Sequence, residues 1–311
     1  MVEKTQNQIN QLVPLQDVAI LTEKRYLNPK ENDWYISNII TEDHLVQSEL
    51  ESLGFRCKRV AWDDSFDPSK FRFALFRTTW NYFEKLNLFR SFLSDCSGQI
   101  IFINPYEQVQ WNLNKRYLLW LRDRGITIPP THLVKRGCVF DLLNLCNKNG
   151  WTEIVIKPCV SAAAWNTHYI KNIGNRAQSL FDSLIKNQDM LIQVFQKNII
   201  VSGEISIMII NGKYSHSVLK HAKDGDFRVQ DDFGGTVSAY QAKKPEIKFA
   251  ENVIKTLPFS PIYARVDLVL DNNNEIALSE LELIEPEMWF RLNPLAARDL
   301  AITIRDFINI N

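Results

Sequence analysis

The chain has 311 residues, 45% of them hydrophobic, enough to bury a large core, and two or three subdomains are expected in place of one small module. Thirty-six basic and 36 acidic residues cancel, so no net field draws the chain to nucleic acid or to an anionic membrane surface. Five scattered cysteines without a C-x-x-C pair argue against a disulfide scaffold or a zinc site, and no run approaches the roughly 18 apolar residues that span a bilayer. The polar start lacks the apolar core of a signal peptide, so a cytoplasmic protein is expected.

Residues 1–16 are expected to be a disordered tail, and residues 17–107 an N-terminal α/β domain. Within it DVAIL (17–21) reads as a buried strand and TEDHLVQSELESLG (41–54) as a helix capped by Thr41 and closed by Gly54. FRCKRVAW (55–62), FRFALFRTTW (71–80) and QIIFINP (99–105) read as further strands, with a helix over EKLNLFRSFLSDCSG (84–98). Alternating strands and helices predict a parallel layer. A central lobe, 108–197, takes its linker helix from YEQVQWNLNKRYLLWLRDRG (106–125), followed by an extended ITIPPTHLV (126–134) whose paired prolines disfavour helix. TEIVIKP (152–158), THYI (167–170) and MLIQVF (190–195) are strands and RAQSLFDSLIKN (176–187) a helix. The C-terminal lobe, 198–311, opens with a hairpin over 203–220 that turns at Asn211-Gly212. A glycine-punctuated loop, a helix over 246–257, a strand pair within 263–286 and a helix from about 294 to 308 complete an α/β fold that is α+β in its C-terminal half.

Neither G-x-x-x-x-G-K-[ST] nor G-x-G-x-x-G is present, so a nucleotide would need convergent cations in place of a glycine-rich cradle. Lys157 ends an apolar strand, where its ammonium either reaches solvent or meets an anion. Lys115 alone reads as a solvated helix flank, and Cys159 as core. The carboxylates demand more. With a strand period of two, Glu280 and Glu282 share a face, and the short DNNN turn folds their strand back against the one carrying Asp267. Three converging carboxylates either form an acidic sheet face paired with surface lysines or call for a divalent cation, and oxygen-only donors favour magnesium or manganese over zinc. Arg265 shares the face of Asp267 and suits the charge of a transferring phosphoryl group. Arg77 and Trp80 follow the third strand, where a crevice at strand carboxyl ends receives ligands, and an arginine there suits an amino-acid carboxylate; otherwise Arg77 pairs with a local acid and Trp80 packs between domains. The five histidines read as solvated (His44) or structural (His132, His168, His216, His221).

IYARVDLVLDNNNEIALSELELIEPEM resembles the metal-binding segment of ATP-grasp enzymes, and Lys115 in NLNKRYLL, Lys157 in IVIKP, the strand LIQVF and Glu204 in SGEISIM fall in the order that family uses. The likeness covers roughly residues 18–300. FRTTWNY, NPYEQVQWNLNKRYL, IKPCVSAAAWNT, GDFRVQDDFGG and LELIEP are similar to the prokaryotic glutathione synthetase type, and especially to D-cycloserine-forming cyclo-ligases acting on O-ureido-serine. The resemblance implies an ATP-grasp fold with the nucleotide between two α/β lobes. It implies ATP held by Lys115, Lys157, Ser161, Gln193, Val194, Phe195, Glu204 and Lys220, with Glu204 on the ribose and the 193–195 strand edging the adenine. Asp267, Glu280 and Glu282 would bind two Mg2+ ions, or Mn2+, while Arg228 and Arg265 serve the acyl and phosphoryl groups. Two features depart from the family: Glu282 stands where asparagine is common, adding negative charge, and SAAAWNT replaces a glycine-rich phosphate flap, narrowing its backbone freedom.

The expectation is an ADP-forming ligase that activates the carboxylate of a small amino-acid-like substrate as an acyl phosphate, with no nucleic-acid or membrane partner; a homo-oligomer is compatible with the sequence. A peptide-tail-modifying ligase and a nucleotide-binding regulator without turnover share the same ATP residues.

Overall fold

The computed structural model describes residues 16–30, 33–162, 164–229 and 234–311; the tail expected to be disordered lies, apart from Gln16, outside them. The first elements are β1 (Gln16–Thr22), α1 (Lys24–Leu27), α2 (Trp34–Ser52), β2 (Cys57–Ala61), β3 (Phe71–Thr78), α3 (Leu86–Cys96) and β4 (Ile101–Ile103). Their strands form a parallel sheet in the order β2-β1-β3-β4. The apolar runs explain this layer, since Val18, Ile20, Phe73 and Leu75 are buried on one face and Ala19, Leu21, Ala74 and Phe76 on the other, as a sheet covered on both sides requires. Helix α2 begins at Trp34 and not at Thr41, because Asp33 caps it by accepting the Ile36 amide at 2.8 Å.

Next come α4 (Tyr106–Asn112), α5 (Tyr117–Arg122), β5 (Thr131–Val134), α6 (Leu142–Asn149), β6 (Ile154–Pro158), β7 (His168–Ile170), α7 (Asn175–Leu184) and β8 (Met190–Val194). These strands pair antiparallel in the order β5-β8-β6-β7. The single helix expected over 106–125 is two helices, α4 and α5, interrupted at residues 113–116. At the break the Lys115 amide donates to the Cys159 carbonyl at 2.7 Å. Local propensity favours a continuous helix; a tertiary hydrogen bond decides otherwise. Helix α6, capped by Asp141 and ended by left-handed Gly150 at φ 66°, is absent from the sequence expectations.

The last elements are α8 (Asn198–Ser202), β9 (Glu204–Ile210), β10 (Lys213–His221), β11 (Thr236–Tyr240), α9 (Lys244–Thr256), β12 (Tyr263–Leu270), β13 (Ile276–Glu282) and α10 (Pro294–Ile308). An antiparallel sheet runs β11-β10-β9-β12-β13. Asn211 at φ 50° and Gly212 at φ 72° make the tight turn between β9 and β10. Helix α10 buries Ala296, Ala297, Leu300, Ala301, Ile304 and Ile308, a 3.6-period stripe, in a core shared with Val46 and Leu50 of α2 and Val18 and Ile20 of β1. The N-terminal layer is therefore packed on the C-terminal lobe. Buried Asn104, just after β4, fastens the same junction through Tyr263 O at 2.9 Å and Leu283 O at 2.8 Å. Among the described residues no helix is long and apolar enough to cross a membrane.

Candidate active site

Strands β12 and β13 run antiparallel with Asp267 opposite Glu280 and Arg265 opposite Glu282. The period of two and the turn at residues 271–274, where Asn274 adopts φ 63°, thus bring the four charged groups together. Arg265 grips Asp267 with two nitrogens, at 3.0 Å and 2.9 Å, and also bonds Glu282. Ser206 of β9 donates to Asp267 at 2.5 Å, and Lys220 of β10 lies 2.6 Å from Glu204 and 3.6 Å from Asp267. The break between α4 and α5 turns Lys115 inward, where its ammonium bonds Glu280 and donates to the Ser161 carbonyl at 2.9 Å.

One cleft collects these groups. Its lining includes Lys115, Lys157, Ser161, Gln193, Val194, Phe195, Glu204, Lys220, Arg228, Asp267, Glu280 and Glu282, contributed by both antiparallel sheets and the loops joining them. Gln193 of β8 donates to Thr131 Oγ1 of the neighbouring β5 at 2.8 Å, and the Phe195 ring stacks on Tyr169 at 3.9 Å. Lys157 projects from β6 with no hydrogen bond or ion pair among the described residues. Burial depresses its ammonium below the ordinary lysine value, although Glu280 opposes the shift. An unpaired cation in a cleft suits an anionic ligand.

Charge is finely divided across the carboxylates. Burial opposes the ionised form of Asp267, yet Arg265 and Lys220 outweigh it and bring the carboxyl down to about 2. Burial also opposes Glu280, which Lys115 and Lys157 nevertheless hold below its usual range. Glu282 is pushed up to about 7, by burial first and then by Glu280 and Asp267, against the pull of Arg265. Burial and the neighbouring Glu282 raise Glu285 well above the usual range. Burial would lower Lys115, Lys220 and Arg265, but their carboxylate partners raise all three.

The donor set Asp267, Glu280 and Glu282 is all oxygen and suits a hard divalent cation in kind. Among the described residues, however, no three Asp, Glu, His or Cys side chains converge as a ligand group. Each carboxylate is drawn instead to Lys115, Arg265 or Lys220. Holding a cation would require the carboxylates to turn from these ion pairs toward one point.

Two substrate candidates are placed differently from expectation. Arg77 is 2% exposed and is not among the cleft-lining residues; it lies 3.7 Å from Asp43 and 3.9 Å from Glu42 and donates to Pro286 O at 3.3 Å. Its guanidinium faces acids of α2 and is not offered to a substrate carboxylate. Trp80 donates its indole N–H to Glu285 O at 3.0 Å and packs on Tyr26 and Tyr35, also off the lining. Arg228 does line the cleft and is paired with Asp226 at 2.7 Å. The flap of residues 161–167 carries Ala164 at φ 52°, a left-handed conformation that alanine resists, and its Trp165 rests 5.5 Å from the Phe83 ring; Ala163 and residues 230–233 of the GDFRVQDDFGG loop lie outside the described residues. Lining residues without a role in the sequence reading include Tyr82, Asn112, Tyr117, Phe227 and Glu285. Tyr82 and Glu285 stand in the quoted stretches FRTTWNY and LELIEP, so position within a motif was the available signal.

Residues 18–104 match the family described as the N-terminal domain of D-cycloserine synthetase DcsG, and residues 122–280 the ATP-grasp domain of prokaryotic glutathione synthetase. The chain is similar to the cycloserine biosynthesis protein DcsG of Streptomyces lavendulae, with 27% identity over 255 residues, 76% of this chain and 84% of that protein. A crystal structure of D-cycloserine synthetase DcsG superposes with a TM-score of 0.81 at 23% identity, covering 94% of this chain and 99% of the other. D-alanine–D-alanine ligase from Bacillus anthracis superposes at 0.66 with 15% identity, covering 94% and 97%.

Proposed function

Because the chain belongs to the prokaryotic glutathione synthetase ATP-grasp family and is an ADP-forming ligase, we propose that it phosphorylates the carboxylate of a small amino-acid-like substrate and joins the resulting acyl group to an amine-type nucleophile. The observation carrying this reading is the single cleft in which Lys115, the unpaired Lys157 and the three carboxylates meet β8. A substrate carboxylate oxygen attacks the γ-phosphorus of ATP, the bond from that phosphorus to the bridging oxygen breaks, and ADP leaves. The amine nitrogen then attacks the acyl carbon, the carbon–oxygen bond to phosphate breaks, and the nitrogen's proton passes to the departing phosphate or to water. No protein nucleophile is required; positioning and charge stabilisation carry the reaction.

In this reading Lys115, Lys157 and the Ser161 hydroxyl hold phosphates. Residues Gln193, Val194 and Phe195 edge the adenine, Glu204 and Lys220 flank the ribose, and Arg228 and Arg265 balance charge on the acyl and phosphoryl groups. Asp267, Glu280 and Glu282 would hold magnesium, which when bound neutralises phosphate charge. We assign residues 17–107, 108–197 and 198–311 as three units, the last two enclosing the nucleotide. The free thiols among the described residues suit a reducing, cytoplasmic setting.

Similarity to the cycloserine biosynthesis protein supports an amino-acid-like substrate and makes intramolecular closure the first variant to test. The test incubates the protein and MgATP with D-alanine, D-serine, O-ureido-D-serine and short peptides, following ADP release and product mass. ADP release with one of the amino acids is expected, with a product lighter than its precursors by one water where two molecules are joined, and by one water together with the carbamoyl unit where O-ureido-D-serine closes to the ring. Release with peptides alone would transfer the reading to peptide modification, and release with none would overturn it.

A further inference from the structure

Residues 80–83 form a single tight turn after β3, and three of its four side chains have a structural partner. Trp80 holds the Glu285 carbonyl at 3.0 Å. Asn81 accepts from the Trp62 indole at 2.9 Å and donates to Asp63 at 2.7 Å. Phe83 meets Trp165 of the flap. Tyr82 differs. Its ring packs on Phe89 at 5.1 Å and on Phe83 at 6.3 Å, while its hydroxyl has no hydrogen-bond partner among the described residues.

Among the described residues of 17–107, Tyr82 alone reaches the lining of the cleft, on the wall that also carries Glu285, Glu282 and Glu280. Tyr82 as a residue is only 5% exposed, and its hydroxyl, without a bond, belongs to a side chain that lines the cleft, a donor left open for a ligand. We propose that the Tyr82 hydroxyl donates a hydrogen bond to the substrate acyl group, at the oxygen that does not receive the phosphoryl group. That oxygen gains negative charge when the amine attacks the acyl carbon, and a neutral donor already fixed by ring packing lowers the barrier without reorganising. Lysine or arginine at this position would instead be captured by the three glutamates. Burial, and then Glu285, Glu282 and Glu280, raise the phenol well above its ordinary value, so it remains a donor through the neutral range. The N-terminal unit thereby contributes directly to a centre otherwise built from the other two.

This inference rests on the ligase reading above. Its test compares Tyr82→Phe with the wild type, using whichever of D-alanine, D-serine or O-ureido-D-serine releases ADP. The expected result is a fall of at least tenfold in kcat, with ATP affinity and thermal midpoint unchanged, because the ring contacts survive. Equal kcat and substrate KM in an active wild type and the variant would overturn this inference alone. A variant that fails to fold would also overturn it, since the hydroxyl would then have a structural partner. A wild type inactive with all three would overturn the proposed function, and this inference with it.

Discussion

Lys157 enters the cleft from an apolar strand with no carboxylate bonded to it, whereas Lys115 a short distance away is bound by Glu280. That contrast separates two lysines that look alike in sequence. Lys157→Met removes a depressed ammonium and preserves the aliphatic stem, so the fold should hold while ATP affinity falls about 10- to 100-fold, about 1.4–2.7 kcal/mol; calorimetric titration with ATP measures it. Glu280 acts on both lysines and faces Asp267 across the ladder. Glu280→Gln should lower ADP release by more than about 100-fold at saturating magnesium while nucleotide still binds, because the lost charge matters most where phosphoryl charge develops. Near-normal turnover in a coupled ADP assay would reduce the carboxylates to a structural ion-pair network. A third residue reports on protons. His216 donates to Met288 O at 2.7 Å, and burial depresses its imidazole despite that bond. Its folded-state pKa lies below the unfolded value near 6.5, so the unfolded chain binds more protons and stability falls as pH drops below about 6.5. In urea denaturation His216→Gln should lack this contribution, and the stability gap from wild type should narrow between about pH 7.5 and about pH 5.5.

At the scale of elements, the β12–β13 hairpin does more than carry carboxylates. Its turn reaches the segment between β8 and α8, where the Asn272 side chain donates to Phe195 O at 2.9 Å and accepts from the Lys197 amide at 2.8 Å. Asn198 completes the clamp, donating to Asp271 O at 2.6 Å. A turn sequence that reads only as a reversal of chain direction thus also fixes residues 195–198 beside the proposed adenine edge. Asn272→Ala should cost about 1 kcal/mol in urea denaturation, from one exposed and one part-buried hydrogen bond, and should weaken ATP binding several-fold. An unchanged affinity would show that residues 195–198 keep their place without the clamp. The break between α4 and α5 is a second element with a consequence beyond packing, since a continuous helix would aim Lys115 away from Ser161 and Glu280.

Over the whole molecule, the segment 285–291 ties the N-terminal layer to the C-terminal lobe. Arg77 and Trp80 hold its first carbonyls, Glu42 accepts the Phe290 and Arg291 amides at 2.9 Å each, and Arg265 reaches Glu287 O at 3.4 Å. Arg77 is thereby a structural counter-ion at this junction. Arg77→Ala should destabilise the protein by about 3 kcal/mol, because it leaves buried Glu42 and Asp43 short of positive charge; Arg59 and Arg291 still serve these acids, which keeps the loss from growing larger. A thermal melt checks it. A stable variant with only a raised substrate KM would return Arg77 to direct substrate contact.

Periodicity and turn chemistry by themselves determined the parallel N-terminal layer, the Asn211-Gly212 hairpin, the closing helix and the shared face of Arg265, Asp267, Glu280 and Glu282, because each is written in residue patterns within single segments, even where, as in the layer, the paired strands are distant in sequence. Residue order along the chain was likewise enough to identify the family. Tertiary structure decided the rest: where the 106–125 helix breaks, which lysine is paired, that Arg77 turns to α2, and that Tyr82 reaches the cleft in place of Trp80. Those outcomes depend on groups distant in sequence, such as the Cys159 carbonyl, Glu280, Asp43 and Glu285, whose bonds outweigh the local preferences of the segments they meet.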